Sequence, residues 1–88
     1  MKVIIIHEDN HGMIGAVMNY STAIEFLIRY NWLNGMCDVV DKNGDFITVE
    51  EKFGKDWKDI ILSWTVHRFN MEFEGNFNLE LYGVYGTE

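Results

Sequence analysis

Not one proline occurs in the 88 residues, so glycine, asparagine and capping side chains must set every boundary. Cysteine occurs once. Cys37 alone cannot build an internal disulfide framework, and its neighbours Met36, Val39 and Val40 make it read as buried filler rather than as a reactive thiol. Basic side chains are scarce: 7 Lys and Arg face 14 Asp and Glu, for a formal net charge of −7. Such an imbalance repels phosphate and anionic lipid, so neither direct nucleic-acid binding nor membrane association is expected. Long apolar runs are missing as well. The opening MKVIIIHEDN holds too short a run for a signal peptide or a membrane span, which makes cytosol the expected compartment.

What is present is core material. Hydrophobic residues make up 48% and aromatics 15%, enough for a single domain over 1–88, although a chain this short buries only about 60% of its unfolded surface. The aromatic share exceeds what a minimal core needs, and interfaces favour such residues. The acid excess is uneven. Residues 1–35 carry −1 and residues 36–51 carry −4, from Asp38, Asp41, Asp45, Glu50 and Glu51 against Lys42. Residues 52–62 carry +1, and residues 63–88 carry −3. A concentrated negative field favours a basic partner protein or a cation.

Along the chain, Lys2–His7 is a β-branched run, Asp9-Asn10-His11-Gly12 is turn chemistry and Met13–Met18 is a second apolar run, which together predict a hairpin. Thr22-Ala23-Ile24-Glu25 has the form of a capping box and Asn34-Gly35 that of a stop, predicting a helix over Ala23–Leu33. Its apolar arc is wide, with Glu25, Arg29 and Trp32 on one narrow polar stripe. Trp32 is therefore either covered by another element or exposed as a contact residue. Met36–Val40 and Phe46–Val49 flank Asn43-Gly44, the signature of a type I′ hairpin with positive φ at both central residues. Thr48-Val49-Glu50-Glu51 is a second capping box, opening a helix that buries Phe53, Trp57, Ile60, Ile61 and Trp64. Its outer face would carry the i,i+4 pairs Glu51–Lys55, Lys52–Asp56 and Lys55–Asp59, with Gly54 marking a bend. His67, Phe69, Met71 and Phe73, then Phe77, Leu79 and Leu81, alternate with polar residues and predict a last hairpin around Glu74-Gly75-Asn76. Because Phe69 and Phe73 are also i,i+4, a short helix over Thr65–Phe73 before a single strand is the alternative.

Two strings imitate metal sites. His7-Glu8-Asp9-Asn10-His11 is the HExxH pattern of zinc metallopeptidases, which requires a helix to bring both histidines to one face. Here the string ends a β-branched run, and on a strand the two histidines stand about 13 Å apart. Asp41 to Glu51 resembles the calcium loop of EF-hand proteins, with Asp41, Asn43 and Asp45 as its first ligands, Ile47 as the central apolar residue and Glu51 as the closing glutamate. The glycine that should follow Asp45 is absent, and a strand rather than a helix is predicted before Asp41. Both strings are expected to be turns, with no metal and no other cofactor. No phosphate loop or catalytic Ser/His/Asp set is signalled, and a non-enzymatic role is expected.

The opening KVIIIHEDNHGMIGAVMNYSTAIEFLIRY, a hairpin running into a helix, followed by DKNGDFITVEEKFGKDWKD, resembles the small acidic inhibitor proteins of phages and prophages, among them the type II anti-CRISPR proteins. The resemblance is one of size, acidity and layout over most of the chain, with no signature motif. It implies an inhibitor in the host cytoplasm whose carboxylates replace DNA phosphates on a basic surface of a nucleic-acid-binding protein, such as a CRISPR nuclease.

The expected fold is α+β, antiparallel hairpins with two helices in the order ββαββαββ. The expected partner-binding residues are Asp38, Asp41, Asp45 and Glu50 on the second hairpin, Glu72, Glu74 and Glu80 on the last, and the aromatics Trp32 and Tyr82. Two other roles are carried forward: a self-associating homo-oligomer, from the wide apolar arc of the first helix, and calcium binding through the degenerate EF-hand-like loop.

Overall fold

The structure, a computed structural model, describes residues 2–83 of the chain. The β-branched opening run forms β1 (Lys2–Glu8), and Asp9–His11 turn it into β2 (Gly12–Val17), as predicted. A third strand, β5 (Phe77–Gly83), lies on the other side of β1, giving an antiparallel sheet of order β2-β1-β5. Register fixes the two faces. Ile4 and Ile6 stand opposite Leu81 and Leu79 on the side that meets the helices, while Val3, Ile5 and His7 stand opposite Tyr82, Glu80 and Asn78 on the outer side. The sheet is thus covered on one face only.

The first helix, α1 (Tyr20–Arg29), begins three residues ahead of expectation. Asn19, not Thr22, is its N-cap: the Asn19 Oδ1 accepts from the Thr22 N–H at 2.9 Å and also from the hydroxyls of Ser21 and Thr22. Its end is also earlier than Asn34-Gly35. Asn31 takes φ 62, and the N–H groups of Asn31 and Trp32 donate to the carbonyls of Ile28 and Leu27 at 3.1 and 2.8 Å, a Schellman closure made with asparagine instead of glycine. The wide apolar arc is explained by cover on two sides. Ala23, Ile24 and Leu27 are buried, the Phe26 ring lies where a Cβ on Gly15 of β2 would approach it to 2.8 Å, and the Tyr20 hydroxyl donates to the Ile61 carbonyl at 2.6 Å.

The second hairpin pairs β3 (Asp38–Val40) with β4 (Phe46–Thr48). Its turn is not type I′. Gly44 has φ 86 but Asn43 does not share the left-handed region; the Gly44 N–H donates to the Asp41 carbonyl at 3.0 Å, and the Asp41 N–H to the Asp45 carbonyl at 2.9 Å. This is a three-residue loop with a glycine bulge. Asp41 selects it, because its Oδ1 accepts from the N–H groups of both Asn43 and Asp45.

The Thr48–Glu51 capping box is present with both reciprocal hydrogen bonds at 3.0 Å and opens α2 (Val49–Phe53). Gly54, at φ 84, then ends the helix instead of bending it, and a separate α3 (Trp57–Leu62) follows. The i,i+4 pairs expected across that point cannot line up. Among the described residues Lys52 pairs instead with Glu72, at 2.9 Å. Residues 66–72 are helical: α4 (Val66–Glu72), capped by the Thr65 hydroxyl, takes the place of a strand. The class is α+β, in the order ββαββαααβ, so the last hairpin does not form and the short-helix alternative describes this stretch.

One contiguous core joins both sheets and the helices. Ile4, Ile6, Ala23, Ile24, Leu27, Leu33, Val39, Val49, Trp57, Ile61, Phe69, Phe73, Phe77 and Leu79 are buried in it. Among the described residues no helix is long and apolar enough to cross a membrane.

Candidate functional site

The β3–β4 hairpin is where the charge concentrates, and its local chemistry decides which carboxylates face outward. Asp41 and Glu51 are turned onto their own backbone, the first in the turn and the second in the capping box. Those hydrogen bonds from Thr48 hold the Glu51 carboxyl below the ordinary range. Asp38 and Asp45 are exposed on the hairpin, and Glu50, expected there too, is exposed in the first turn of α2 instead, because the Thr48 cap ends β4. Among the described residues none of these five forms an ion pair. The hairpin is tied to the body along β3, where the carbonyl of Asp38 accepts from the Asn76 side chain at 2.7 Å and that of Val40 from the Lys52 ammonium.

The other acidic candidates lie apart from one another. Glu72, on α4, is only 16% exposed at its side chain and is held by Lys52 and Arg68, each at 2.9 Å. Partial burial pushes its carboxyl up, but the hydrogen bonds and charges of Lys52 and Arg68 together outweigh that and hold it below the ordinary range. Glu72 is thus a structural pair and not a presented charge. Glu74 is exposed in the turn after α4, the same turn whose Asn76 reaches β3. Glu80 projects from the outer sheet face, its Oε1 3.3 Å from Nε2 of His7.

A carboxyl whose folded pKa is lowered stabilises the fold fully above its unfolded value, about 4.3 for Glu, and that contribution is lost as pH falls through the folded value. Glu72→Gln should therefore be less stable than the parent at neutral pH, with the gap closing in denaturant midpoints measured from pH 7 down to pH 3. A gap that stays constant over that range would show that Glu72 contributes nothing through its charge.

The two aromatic candidates differ. Trp32, just past α1, is half-buried against the core, with the His11 ring edge-on to it at 5.1 Å between centroids; of the two readings the sequence left open, cover by another element is the one found. Tyr82 is 59% exposed on the outer sheet face, opposite Val3.

Neither metal-like string is helical at its first ligand. His7 and Glu8 close β1 and His11 lies in the turn; the Glu8 Oε1 accepts from His11 Nδ1 at 2.6 Å and from the Asn10 N–H. The hydrogen bond from His11 is the main reason the Glu8 carboxyl lies low. Asp41 is preceded by strand β3, and its Oδ1 is occupied by two amides of its own turn. Among the described residues no three His, Cys, Asp or Glu side chains converge as a metal site. Cys37 is half-buried, its thiol donating to the Trp32 carbonyl, and burial pushes it up from the ordinary thiol range. The hollow of about 480 Å³ between β2 and α1 is lined by Val17, Thr22, Glu25, Phe26, Arg29 and Tyr30, which offer no paired nucleophile and base.

One feature of the hairpin is absent from the expected site residues. Phe46 is 74% exposed and Met36 75% exposed, with Val40 at 41%. The signal lay in the consecutive apolar residues Val39-Val40 and Phe46-Ile47: on paired strands one of each couple must face outward. Comparison of the chain with protein-family models, with curated proteins and with solved structures gives no match.

Proposed function

We propose that this chain is a non-enzymatic protein-binding module that presents its β3–β4 hairpin to a basic surface of a nucleic-acid-handling protein and so acts as an inhibitor of it. One observation carries the reading: the stretch with the densest negative charge, −4 over residues 36–51, spans a hairpin anchored by Asn76 and Lys52 and the first turn of α2 behind it, with exposed Asp38, Asp45 and Glu50. Carboxylates fixed on a firm support compete with phosphate for Lys and Arg at little further ordering cost. The binding residues of this reading are Asp38, Asp45, Glu50 and Glu74, and Asp41 is set aside because its Oδ1 is held by its own turn. Glu72 is set aside because it is already paired, and Glu80 and Tyr82 face away with the outer sheet.

The test is affinity capture from bacterial lysate with the chain as bait, beside an Asp45→Lys/Glu50→Lys bait, followed by association rates for the retained protein. The expected partner is rich in Lys and Arg on its nucleic-acid-binding face, and a type II CRISPR nuclease is the direct candidate to assay for loss of DNA cleavage. Its association rate should fall on the double reversal and fall with salt, as the Debye length shrinks from about 10 Å at 0.1 M to about 3 Å at 1 M. Reversing Asp56 and Asp59, outside the hairpin, should matter less. Equal, salt-insensitive rates for all forms would reduce the acids to a solubilising coat.

A further inference from the structure

We propose that Phe46, paired with Val40, is the apolar anchor of this hairpin, and that its occupant is a cationic protein segment carrying an aliphatic side chain between its lysines or arginines. The inference rests on the proposed function above and adds to it what the partner must offer besides charge.

Register places Phe46 and Val40 on one face, directly opposite each other, with Asp38 opposite Thr48 next along that face, while Val39 is buried on the other side. Met36, in the turn before β3, lies beyond the Asp38–Thr48 pair, where it lines a shallow groove with Thr48, Glu50 and Glu51. An apolar pair therefore crosses the hairpin with the carboxylates of Asp38 and Asp45 beside it. An apolar contact beside charged groups is the layout in which a few large side chains supply affinity while the charges steer encounter.

Charge selects the occupant. A second copy of this chain would bring another −4 segment against the first, and like charges brought together at an interface oppose association; nucleic acid is repelled for the same reason. Strand addition along β3 is blocked, because the carbonyls of Asp38 and Val40 already accept from Asn76 and Lys52. Docking on the β3 side then goes through side chains, and an aliphatic group among cations complements both the apolar pair and the carboxylates beside it.

The experiment titrates the protein with two synthetic peptides of equal positive charge, one with leucines between its lysines and one with glycines in their place, and follows Met methyl and Phe ring signals by NMR. The leucine peptide should bind about tenfold more tightly and should shift the signals of Met36 and Phe46. In Phe46→Ser, whose melting temperature should match the parent, the advantage of leucine should vanish while binding of the glycine peptide persists. Phe46→Leu should retain most of it. If both peptides bind alike, or if Phe46→Ser leaves the difference intact, the anchor is overturned while the acidic-face reading stands. If neither peptide binds saturably, or Asp45→Lys/Glu50→Lys leaves both affinities unchanged, the acidic-face reading fails and the anchor falls with it. Concentration-dependent self-association that Phe46→Ser abolishes would assign the patch to a second copy and overturn the proposed occupant.

Discussion

Phe73→Ala should leave the protein unfolded or close to it at physiological temperature. Phe73 is fully buried and stands at the centre of an aromatic cluster, with ring centroids 4.6 Å from Phe69, 5.8 Å from Phe77 and 6.4 Å from Trp64. It also forms the joint between α4 and β5, its carbonyl accepting from the N–H groups of Asn76 and Phe77 at 2.9 and 3.0 Å. Removing a buried phenyl ring costs about 3–5 kcal/mol. At roughly 0.05–0.15 kcal/mol per residue a domain of this length has a total stability of about 4–13 kcal/mol. The melting temperature should drop by at least about 12 °C, given about 4–8 °C per kcal/mol for a domain this small. Phe46→Ala, at a residue of the same type but 74% exposed, is the control and should stay within about 0.5 kcal/mol of the parent. Similar losses from both substitutions would mean that the cluster around Phe73 is not the core.

The second large effect belongs to a polar residue. Asn70 on α4 clamps the outer edge of β5: its Nδ2 donates to the Leu79 carbonyl at 2.9 Å and its Oδ1 accepts from the Leu79 N–H at 2.7 Å. One side chain thus stands in for a neighbouring strand at the midpoint of an edge that would otherwise invite pairing with another chain. Asn70→Ala leaves both groups without that partner, and each costs about 1–3 kcal/mol when it cannot be rehydrated. A loss of about 2–4 kcal/mol in denaturant titrations is expected, together with a rise in light scattering as the edge opens. Asn70→Asp sharpens the test. Its ionised carboxylate can accept from the Leu79 N–H but cannot donate to the carbonyl, so the fold favours the protonated form and raises the pKa. The deficit should be full above that value and shrink as pH falls through it. An Asn70→Asp protein with a deficit independent of pH would show that the donor half of the clamp contributes nothing.

The candidate site was legible in part. The excess of carboxylates in 36–51 is plain in the sequence, and so is the presence of a hairpin. Which carboxylates are free for a partner was not, because only the turn and the cap show that Asp41 and Glu51 are engaged by their own backbone. Glu72 was misplaced for a similar reason. Its partner Lys52 lies twenty residues away, and its other partner, Arg68, comes within reach at i,i+4 only because the stretch is a helix and not the expected strand. Phe46 escaped notice because an apolar residue on a short strand reads as core until the register says which side of the strand is inward.

Where local chemistry is self-contained, the sequence by itself determined the outcome. The β1–β2 hairpin follows from a β-branched run and a turn, and the Thr48–Glu51 box caps its helix through reciprocal bonds within four residues. Where two local answers were equally good, tertiary structure decided. Thr22 is the cap that the capping-box pattern offers, but Asn19 takes the role, with Tyr20 brought into the helix and onto the Ile61 carbonyl. Residues 66–81 alternate like a hairpin while Phe69 and Phe73 also sit at helical spacing. The free edge of β1 resolves this: β5 pairs with β1 along its whole length from Phe77 to Gly83, and residues 66–72, relieved of strand pairing, coil into α4 so that Phe69 and Phe73 both enter the core. A strand's partner can lie seventy residues away, and the free energy of that pairing is invisible to any window of sequence that does not contain both edges.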